Sequence, residues 1–165
     1  MGPYRAFGAA QLILFHGTVG TGKSFYASCI GNGLLEKRVP VAATNFPRLL
    51  NLLHGTQEKQ KLLDRLAIYK LLILDDLGVE RDSAYAAEQI FNVIDARASS
   101  RLPVVVTTNL TLEELEHPPS MQYARIYDRV LEMCPVRLKL VGVSRRKGNA
   151  ETRKQLAQHI LLGRE

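Results

Sequence analysis

The residues that most constrain this chain form a glycine-rich segment, Gly17-Thr18-Val19-Gly20-Thr21-Gly22-Lys23-Ser24. The segment matches the pattern G-x-x-x-x-G-K-[ST], and it stands between an apolar run, LILF, and a helical pattern. Glycines allow such a loop to fold closely around a pyrophosphate with its backbone N–H groups pointing inward. The positive end of the following helix adds to that field. We therefore predict a phosphate-binding loop between the first strand and the first helix.

Side chains of this loop are assigned by the same pattern. Lys23 is predicted to reach the β- and γ-phosphates, and the Ser24 hydroxyl is predicted to bind Mg²⁺. A nucleoside triphosphate and Mg²⁺ are thus the predicted cofactors. The predicted nucleotide-binding residues of the loop are Gly17, Thr18, Val19, Gly20, Thr21, Gly22, Lys23, Ser24 and Phe25. The alternative is a glycine-rich turn that only reverses the chain.

Short apolar runs alternate with helical patterns along the sequence, which predicts alternating strands and helices. The predicted strands are Gln11–Phe15, Val39–Thr44, Leu71–Asp75, Pro103–Thr108 and Val136–Val143. The predicted helices are Lys23–Lys37, Ala84–Ser99, Ser120–Met133 and Asn149–Leu162, with a helical insertion over Pro47–Tyr69 whose leucine-rich halves are split by His54-Gly55-Thr56. Because the middle strands are continuously apolar, they suit a parallel sheet covered on both faces. We expect one three-layer α/β domain of the P-loop type over residues 1–165, without a separate lid domain.

Polar residues follow two of the predicted strands. The third strand ends in Asp75 and Asp76, and two carboxylates there are costly unless something uses their charge. Ligands bind at the carboxyl ends of strands in open α/β sheets. We predict that Asp75 holds Mg²⁺, directly or through water, and that Asp76 polarises the attacking water. Alternatively, Asp76 belongs only to the turn that leaves the strand.

The fourth strand ends in the polar trio Thr107-Thr108-Asn109 at the same sheet edge. Asn109 is predicted to hydrogen-bond both a γ-phosphate oxygen and the nucleophilic water, which would make it a sensor of the triphosphate. The alternative is that Asn109 lies in an exposed turn before Thr111 caps the next helix.

With these motifs in order, residues 8–147 resemble the AAA+ ATPases of the DnaC/IstB type, which are replicative-helicase loaders and related transposition helper ATPases. The resemblance rests on GTVGTGKS, LLILDD, VVVTTN, then Arg125-Ile126-Tyr127-Asp128-Arg129, and finally Ser144-Arg145-Arg146. It implies that Arg129 is an arginine finger acting on a neighbouring subunit. It also implies that Arg146, or alternatively Arg145, contacts the subunit's own nucleotide. Arg129 could instead form only a surface pair with Asp128 or Glu132.

The resemblance also implies partners, namely single-stranded DNA and a hexameric helicase. The chain has a formal net charge of +6, which agrees with a polyanion as partner but also with plain solubility. Seven cations are concentrated towards the C-terminus: Arg137, Lys139, Arg145, Arg146, Lys147, Arg153 and Lys154. The insertion carries four more: Arg48, Lys59, Lys61 and Arg65. Either set could track phosphates, or both could be solvated faces.

Composition and length bear on the cellular compartment and on the regions that we expect in the chain. The two cysteines, Cys29 and Cys134, form neither a C-x-x-C pair nor a metal cluster, and no apolar run approaches the roughly 18 residues that span a bilayer. These features favour a reduced, cytoplasmic protein. Loaders of this type carry a helicase-binding region ahead of the core. Only about ten residues precede the first predicted strand here, so we expect that region to be absent from the 165 residues.

The sequence is consistent with four functions. The first is an ATP-hydrolysing helicase loader that assembles on single-stranded DNA and completes its sites through Arg129. The second is a transposition helper that uses the same core on duplex DNA, and the third is a small P-loop kinase. A non-catalytic nucleotide switch also remains, because the catalytic role of Asp76 is the least constrained.

Overall fold

The structure, a computed structural model, describes residues 12–79, 83–118 and 120–144. Its elements are β1 (Leu12–His16), α1 (Lys23–Glu36), β2 (Val41–Asn45), α2 (Phe46–Gly55), α3 (Lys59–Ile68), β3 (Leu71–Leu77), α4 (Ala84–Ser100), β4 (Val104–Thr108), α5 (Leu112–Glu116), α6 (Met121–Met133) and β5 (Val136–Lys139). The predicted strands and helices in these ranges are confirmed to within a few residues at their ends. The last predicted helix, Asn149–Leu162, lies outside the described residues.

The strands form one parallel sheet in the order β2-β3-β4-β1-β5. The predicted parallel sheet is therefore confirmed. Because every strand runs in the same direction, all carboxyl ends lie at one edge of the sheet. The order also places β4 between β1, which leads into the glycine-rich loop, and β3, which carries the two aspartates.

Helices cover both faces of the sheet, as predicted, but they do so unequally. On one face, α1 packs its residue Ala27 near Phe15, Ile73 and Val105. The other face buries a larger apolar cluster, to which α2, α4 and α6 contribute Phe46, Ile90 and Ile126, among others. Burying one such side chain stabilises the fold by about 1.5–3 kcal/mol.

The insertion before β3 consists of two helices, which correspond to the predicted leucine-rich halves. Asn45 caps the first of them, since its side chain accepts a hydrogen bond from the Arg48 backbone N–H at 2.8 Å. The carboxyl end of α3 is held differently, by Arg97 from α4. The Arg97 guanidinium, only 3% exposed, donates to the carbonyls of Tyr69 at 3.0 Å and Pro103 at 2.6 Å.

No sequence pattern predicted the position of Arg97. Burial lowers its pKa to about 10, which still leaves the side chain charged at neutral pH. Its further bonds go to the carbonyls of Leu66 and Lys70, so one cation satisfies the last carbonyls of α3 and the start of β3. A cation is favourable at that end of a helix, where the carbonyl dipoles converge. Arg97 thus attaches the insertion to the core.

The last strand is shorter than predicted, because it ends at Lys139 instead of Val143. In the described part of the chain it lies at the edge of the sheet and pairs with β1 alone, whose last residue, His16, is opposite Lys139. One further hydrogen bond joins the Leu140 N–H to the His16 carbonyl at 2.8 Å. Beyond His16, β1 gives way to the glycine-rich loop, so the rest of the apolar run finds no pairing strand among the residues that the structure describes.

Two further features are the state of the cysteines and the apolar character of the helices. Cys29 is exposed and Cys134 is buried, and both are free thiols; burial raises the pKa of the Cys134 thiol to about 12. Among the helices that the structure describes, none combines the length and apolar character needed to cross a membrane.

Candidate nucleotide-binding site

The glycine-rich loop connects β1 to α1 at the carboxyl edge of the sheet. Gly17 and Gly20 adopt φ angles of 127° and 82°, which residues with a Cβ rarely adopt. Space is equally restrictive, because a Cβ on Gly17 would lie 2.3 Å from the Leu140 carbonyl oxygen and one on Gly20 would lie 2.1 Å from the Ser144 Oγ. The segment that follows β5 therefore lies directly against the loop.

Lys23 begins α1 and folds its side chain back under the loop. It is only 5% exposed. Its Nζ donates to the carbonyl oxygens of Gly17 at 2.8 Å and Thr18 at 2.7 Å. Thr21 donates to the same Thr18 carbonyl at 2.9 Å. The ammonium group is thus held at the inner side of the loop, which is the side that the motif assigns to phosphates.

Aromatic and apolar side chains stand beside the loop. Phe25, in the first turn of α1, is 60% exposed, and its ring meets the ring of Tyr26 edge-on at 5.8 Å. Val19, in the loop itself, is 55% exposed. These side chains offer apolar surface next to the predicted phosphate site.

The carboxyl end of β3 departs from regular pairing with β4. Leu74 is opposite Val106 and Leu77 is opposite Thr108, so two residues of β3, Asp75 and Asp76, face Thr107 alone. Such an extra residue is a β-bulge, and it increases the local twist of the strand. Asp76 occupies the left-handed region with φ 61°.

Two threonines of β4 form hydrogen bonds with polar groups of this bulge. The Thr107 Oγ1 accepts a hydrogen bond from the Asp76 backbone N–H at 3.0 Å and donates a short one to the Asp75 Oδ1. The Thr108 Oγ1 donates to the Leu77 carbonyl at 2.7 Å. Both threonines are fully buried. Their hydroxyls thus replace the ladder hydrogen bonds that a bulge removes.

The predicted catalytic residues of the core come together at this edge. Asn109 directly follows β4 and is half-buried. The loop begins at the end of β1, and Asp75 lies on β3. Because β4 separates these two strands, their axes are about 10 Å apart. That separation leaves room for a phosphate and a cation between them.

The donor set of this edge suits Mg²⁺. Ser24, half-buried in the first turn of α1, supplies a hydroxyl, and Asp75 supplies a carboxylate. Within the described part of the chain, no three His, Cys, Asp or Glu side chains are grouped so that they could hold a metal ion by themselves. One or two protein oxygens completed by phosphates and water is the usual way in which Mg²⁺ binds with a nucleotide.

Of the predicted arginines, Arg129 lies within the described residues. Arg129, on α6, donates from Nη1 to the Glu132 Oε2 at 2.7 Å and from Nη2 to the Asp95 Oδ1 at 3.1 Å. The hydrogen bond and charge of Glu132, followed by those of Asp95, raise the Arg129 pKa. The Arg129–Glu132 surface pair named as the alternative is therefore present, together with a link to α4. Arg145 and Arg146 lie outside the described residues.

Sequence reasoning missed another residue at this edge, His16. Its side chain is only 4% exposed, and its Nδ1 has no hydrogen-bond partner among residues 12–79, 83–118 and 120–144. Burial lowers the His16 pKa, and the charges of Lys139, Arg137 and Lys23 lower it further. A neutral imidazole therefore ends β1, immediately before the loop. A lone histidine at the end of an apolar run gave no signal of this environment.

The strand order, the phosphate loop after β1 and the acidic end of β3 together define a P-loop ATPase domain of the AAA+ class. A crystal structure of DnaI has the same fold, with a TM-score of 0.68 and 26% identity over 84% of this chain and 74% of that one. Residues 7–152 match the family described as IstB-like ATP binding protein. The chain belongs to this family, as its motifs implied.

Two of the relatives are replicative helicase loaders of bacteria. The chain is 27% identical to the replicative helicase loader DnaI of Bacillus subtilis strain 168, over 82% of this chain and 48% of that protein. It is 33% identical to the replicative helicase loader DnaC of Escherichia coli K12, over 62% of this chain and 44% of that protein. The chain thus spans about half the length of the relatives it matches.

Proposed function

We propose that this chain binds ATP with Mg²⁺ and hydrolyses it to ADP and phosphate as the motor of a replicative helicase loader. The observation that carries the proposal is the placement of the phosphate loop and the Asp75–Asp76 bulge at one sheet edge, on either side of β4. Membership of an ATP-binding family and the named loader relatives support it. Bound Mg²⁺ would neutralise charge on the phosphates and orient them for in-line attack.

In this proposal Lys23 exchanges partners when nucleotide binds. Its buried ammonium now donates to the carbonyls of Gly17 and Thr18, and β- and γ-phosphate oxygens would replace those acceptors. A phosphate oxygen carries negative charge, so its hydrogen bond to the ammonium gains a Coulomb attraction that a neutral carbonyl does not supply. The exchange therefore favours the nucleotide-bound loop, while Ser24 and Asp75 hold the cation.

Asp76 and Asn109 act on the nucleophile. Asp76 would accept a proton from the attacking water as a general base, and Asn109 would hold that water against the γ-phosphate. The strained φ of Asp76 supports this role, because such backbone conformations cluster at functional sites.

Arg129 is proposed to complete the site of a neighbouring subunit. A guanidinium spreads its charge over planar donors that match transition-state phosphate oxygens. Within one chain the group is bound to Glu132 and Asp95, so assembly must exchange these carboxylates for the neighbour's phosphate. Ion pairs at exposed positions contribute only about 0–1 kcal/mol, which makes the exchange feasible. Arg146, or alternatively Arg145, is proposed to contact the subunit's own nucleotide.

Single-stranded DNA is the proposed polyanion, and a replicative helicase is the proposed protein partner. On the insertion, Arg48 and Arg65 are exposed, whereas Lys61 is paired with Glu58 and Lys59 lies over the Tyr85 ring at 4.9 Å. Arg137 and Lys139 are exposed on β5; the remaining cations of the C-terminal set lie outside the described residues. We place the protein in the cytoplasm, where a replication loader would act.

A transposition helper that acts on duplex DNA is the second candidate. The observation that favours it is the family itself, whose description is IstB-like. The two candidates share the ATP site and differ in the form of DNA that they bind.

The experiment that tests the proposal is the ATPase rate per subunit measured against protein concentration, alone and with single-stranded or duplex DNA. We expect the rate per subunit to rise with concentration, because the finger acts between subunits, and to rise further with single-stranded DNA. Stimulation by duplex DNA alone would select the transposition helper. A rate per subunit independent of concentration and of both forms of DNA would contradict the proposal and favour a monomeric kinase-like enzyme.

Arg129→Ala is the corresponding variant. It should bind ATP as the parent does but lose the concentration-dependent part of hydrolysis, by about 1,000-fold if the arginine acts as such fingers do in other NTPases. Arg125→Ala is the matched control, since Arg125 is exposed one turn earlier on the same helix. Equal turnover of Arg129→Ala and the parent, at concentrations where the parent assembles, would rule out the finger.

A further inference from the structure

A buried threonine contacts both aspartates of the β3 bulge. Thr107 is fully buried on β4, and a single atom, its Oγ1, contacts two successive residues of the neighbouring strand. It accepts from the Asp76 backbone N–H at 3.0 Å and donates to the Asp75 Oδ1. Because a hydroxyl has one hydrogen, its direction is fixed by the carboxylate that receives it.

These two contacts depend on the bulge. In a regular ladder one residue of β4 would face one residue of β3, but here Asp75 and Asp76 share Thr107. Asp76 also has φ 61°, a conformation that costs a non-glycine residue about 1–2 kcal/mol. The hydrogen bond from its N–H to Thr107 is therefore part of what holds the left-handed turn in place.

We propose that Thr107 is a positioning residue of the nucleotide site, which orients the Asp75 carboxylate towards Mg²⁺ and fixes the backbone from which Asp76 projects. This inference rests on the proposed function. The hydrogen bond from Thr107 is made to Oδ1 of Asp75, which would leave Oδ2 available for the cation or its water. Groups that orient metal ligands in this way commonly change metal affinity or activity by about 10- to 100-fold when they are removed.

The neighbouring Thr108 provides a matched control. It is equally buried on the same strand, and its hydroxyl also donates across to β3, but to the Leu77 carbonyl instead of a carboxylate. Replacing either threonine by valine keeps the branched shape and removes one buried hydroxyl. Both variants should lose stability to a similar degree, so only the effect on the site separates them.

The test measures the affinity for a slowly hydrolysed ATP analogue at graded Mg²⁺ concentrations, together with the ATPase rate. For Thr107→Val we expect the Mg²⁺ concentration for half-maximal binding to rise about tenfold and the turnover to fall by at least as much. Its affinity for the analogue in EDTA should stay at the parent value. Thr107→Ser, which keeps the hydroxyl, should restore the parent's Mg²⁺ dependence, and Thr108→Val should show the parent's Mg²⁺ dependence at a lower melting temperature.

A Mg²⁺ dependence of Thr107→Val equal to that of Thr108→Val would overturn the role of Thr107 and leave the proposed function intact. Parent protein whose nucleotide affinity does not respond to Mg²⁺ would overturn both. If Thr107→Val does not fold, Thr107→Ala removes the same hydroxyl with less bulk, and the same shift in Mg²⁺ dependence relative to Thr107→Ser is required of it.

Discussion

The phosphate loop and the carboxyl end of β3 both contain residues with positive φ, but the loop uses glycines and β3 uses an aspartate. In the loop, Gly17 and Gly20 leave room for the segment that follows β5, and a side chain at either position would collide with that segment. At the end of β3, Asp76 keeps a side chain where glycine would be less strained. One half of the candidate site is therefore shaped by glycines, and the other by two aspartates that form hydrogen bonds with the neighbouring strand.

Lys23→Ala tests the one side chain on which the loop depends. We expect affinity for ATP with Mg²⁺ to fall about 100- to 10,000-fold, because two charge-assisted hydrogen bonds are worth about 3–6 kcal/mol together. Calorimetric titration measures the loss. Lys37→Ala, an exposed lysine just after the same helix, should bind as the parent does. Unchanged affinity in Lys23→Ala would refute the assignment of the loop.

Gly17→Ala tests whether the loop needs the absence of a side chain. The added Cβ would meet the Leu140 carbonyl at 2.3 Å in a left-handed backbone, so the free energy of unfolding should fall by about 2–3 kcal/mol. Gly33→Ala in α1 is the control, because nothing lies within 4 Å of its Cβ position. It should instead gain about 0.5–1 kcal/mol. Urea denaturation distinguishes the two, and a loss at both positions would contradict the steric argument.

Substitutions of the two aspartates test the bulge itself. Asp76→Gly should be about 1–2 kcal/mol more stable than Asp76→Ala, since both lack the carboxylate and only alanine is strained at φ 61°. Asp75 does not have a positive φ. There the alanine variant should be more stable than the glycine variant, by about 0.5–1 kcal/mol. The difference between the two pairs, measured by urea denaturation, isolates backbone strain from lost side-chain contacts. The same order at both positions would argue against a left-handed Asp76 in solution.

The same comparison explains which features could be predicted from the sequence. The position of the glycine-rich loop was predictable, because its glycines, lysine and serine form a pattern of eight consecutive residues. The parallel sheet followed from the continuously apolar runs, and the two-helix insertion followed from its leucine-rich halves. Asp75 and Asp76 were predicted as a pair at a strand end, but the bulge was not, since it depends on the register between β3 and β4.

Other residues escaped prediction for a related reason. Two consecutive threonines that end an otherwise valine-rich strand were a visible signal, but the sequence did not say which of them would face the carboxylates. Arg97 looked like any arginine of an amphipathic helix until its guanidinium was found among the carbonyls of Tyr69, Lys70 and Pro103. Asp95 likewise became relevant to Arg129 only through the packing of α4 on α6.

By itself, the sequence determined the phosphate loop, the α/β architecture and the chemical types of the residues at the sheet edge. These properties depend on local conformational preference and on hydrophobic periodicity, which adjacent residues carry. The tertiary structure decided which hydroxyl holds Asp75, how Asp76 leaves the strand and that Asp95 binds Arg129. Each of these contacts joins residues about 30 positions apart, where strand register and helix packing, not local propensity, bring the atoms together.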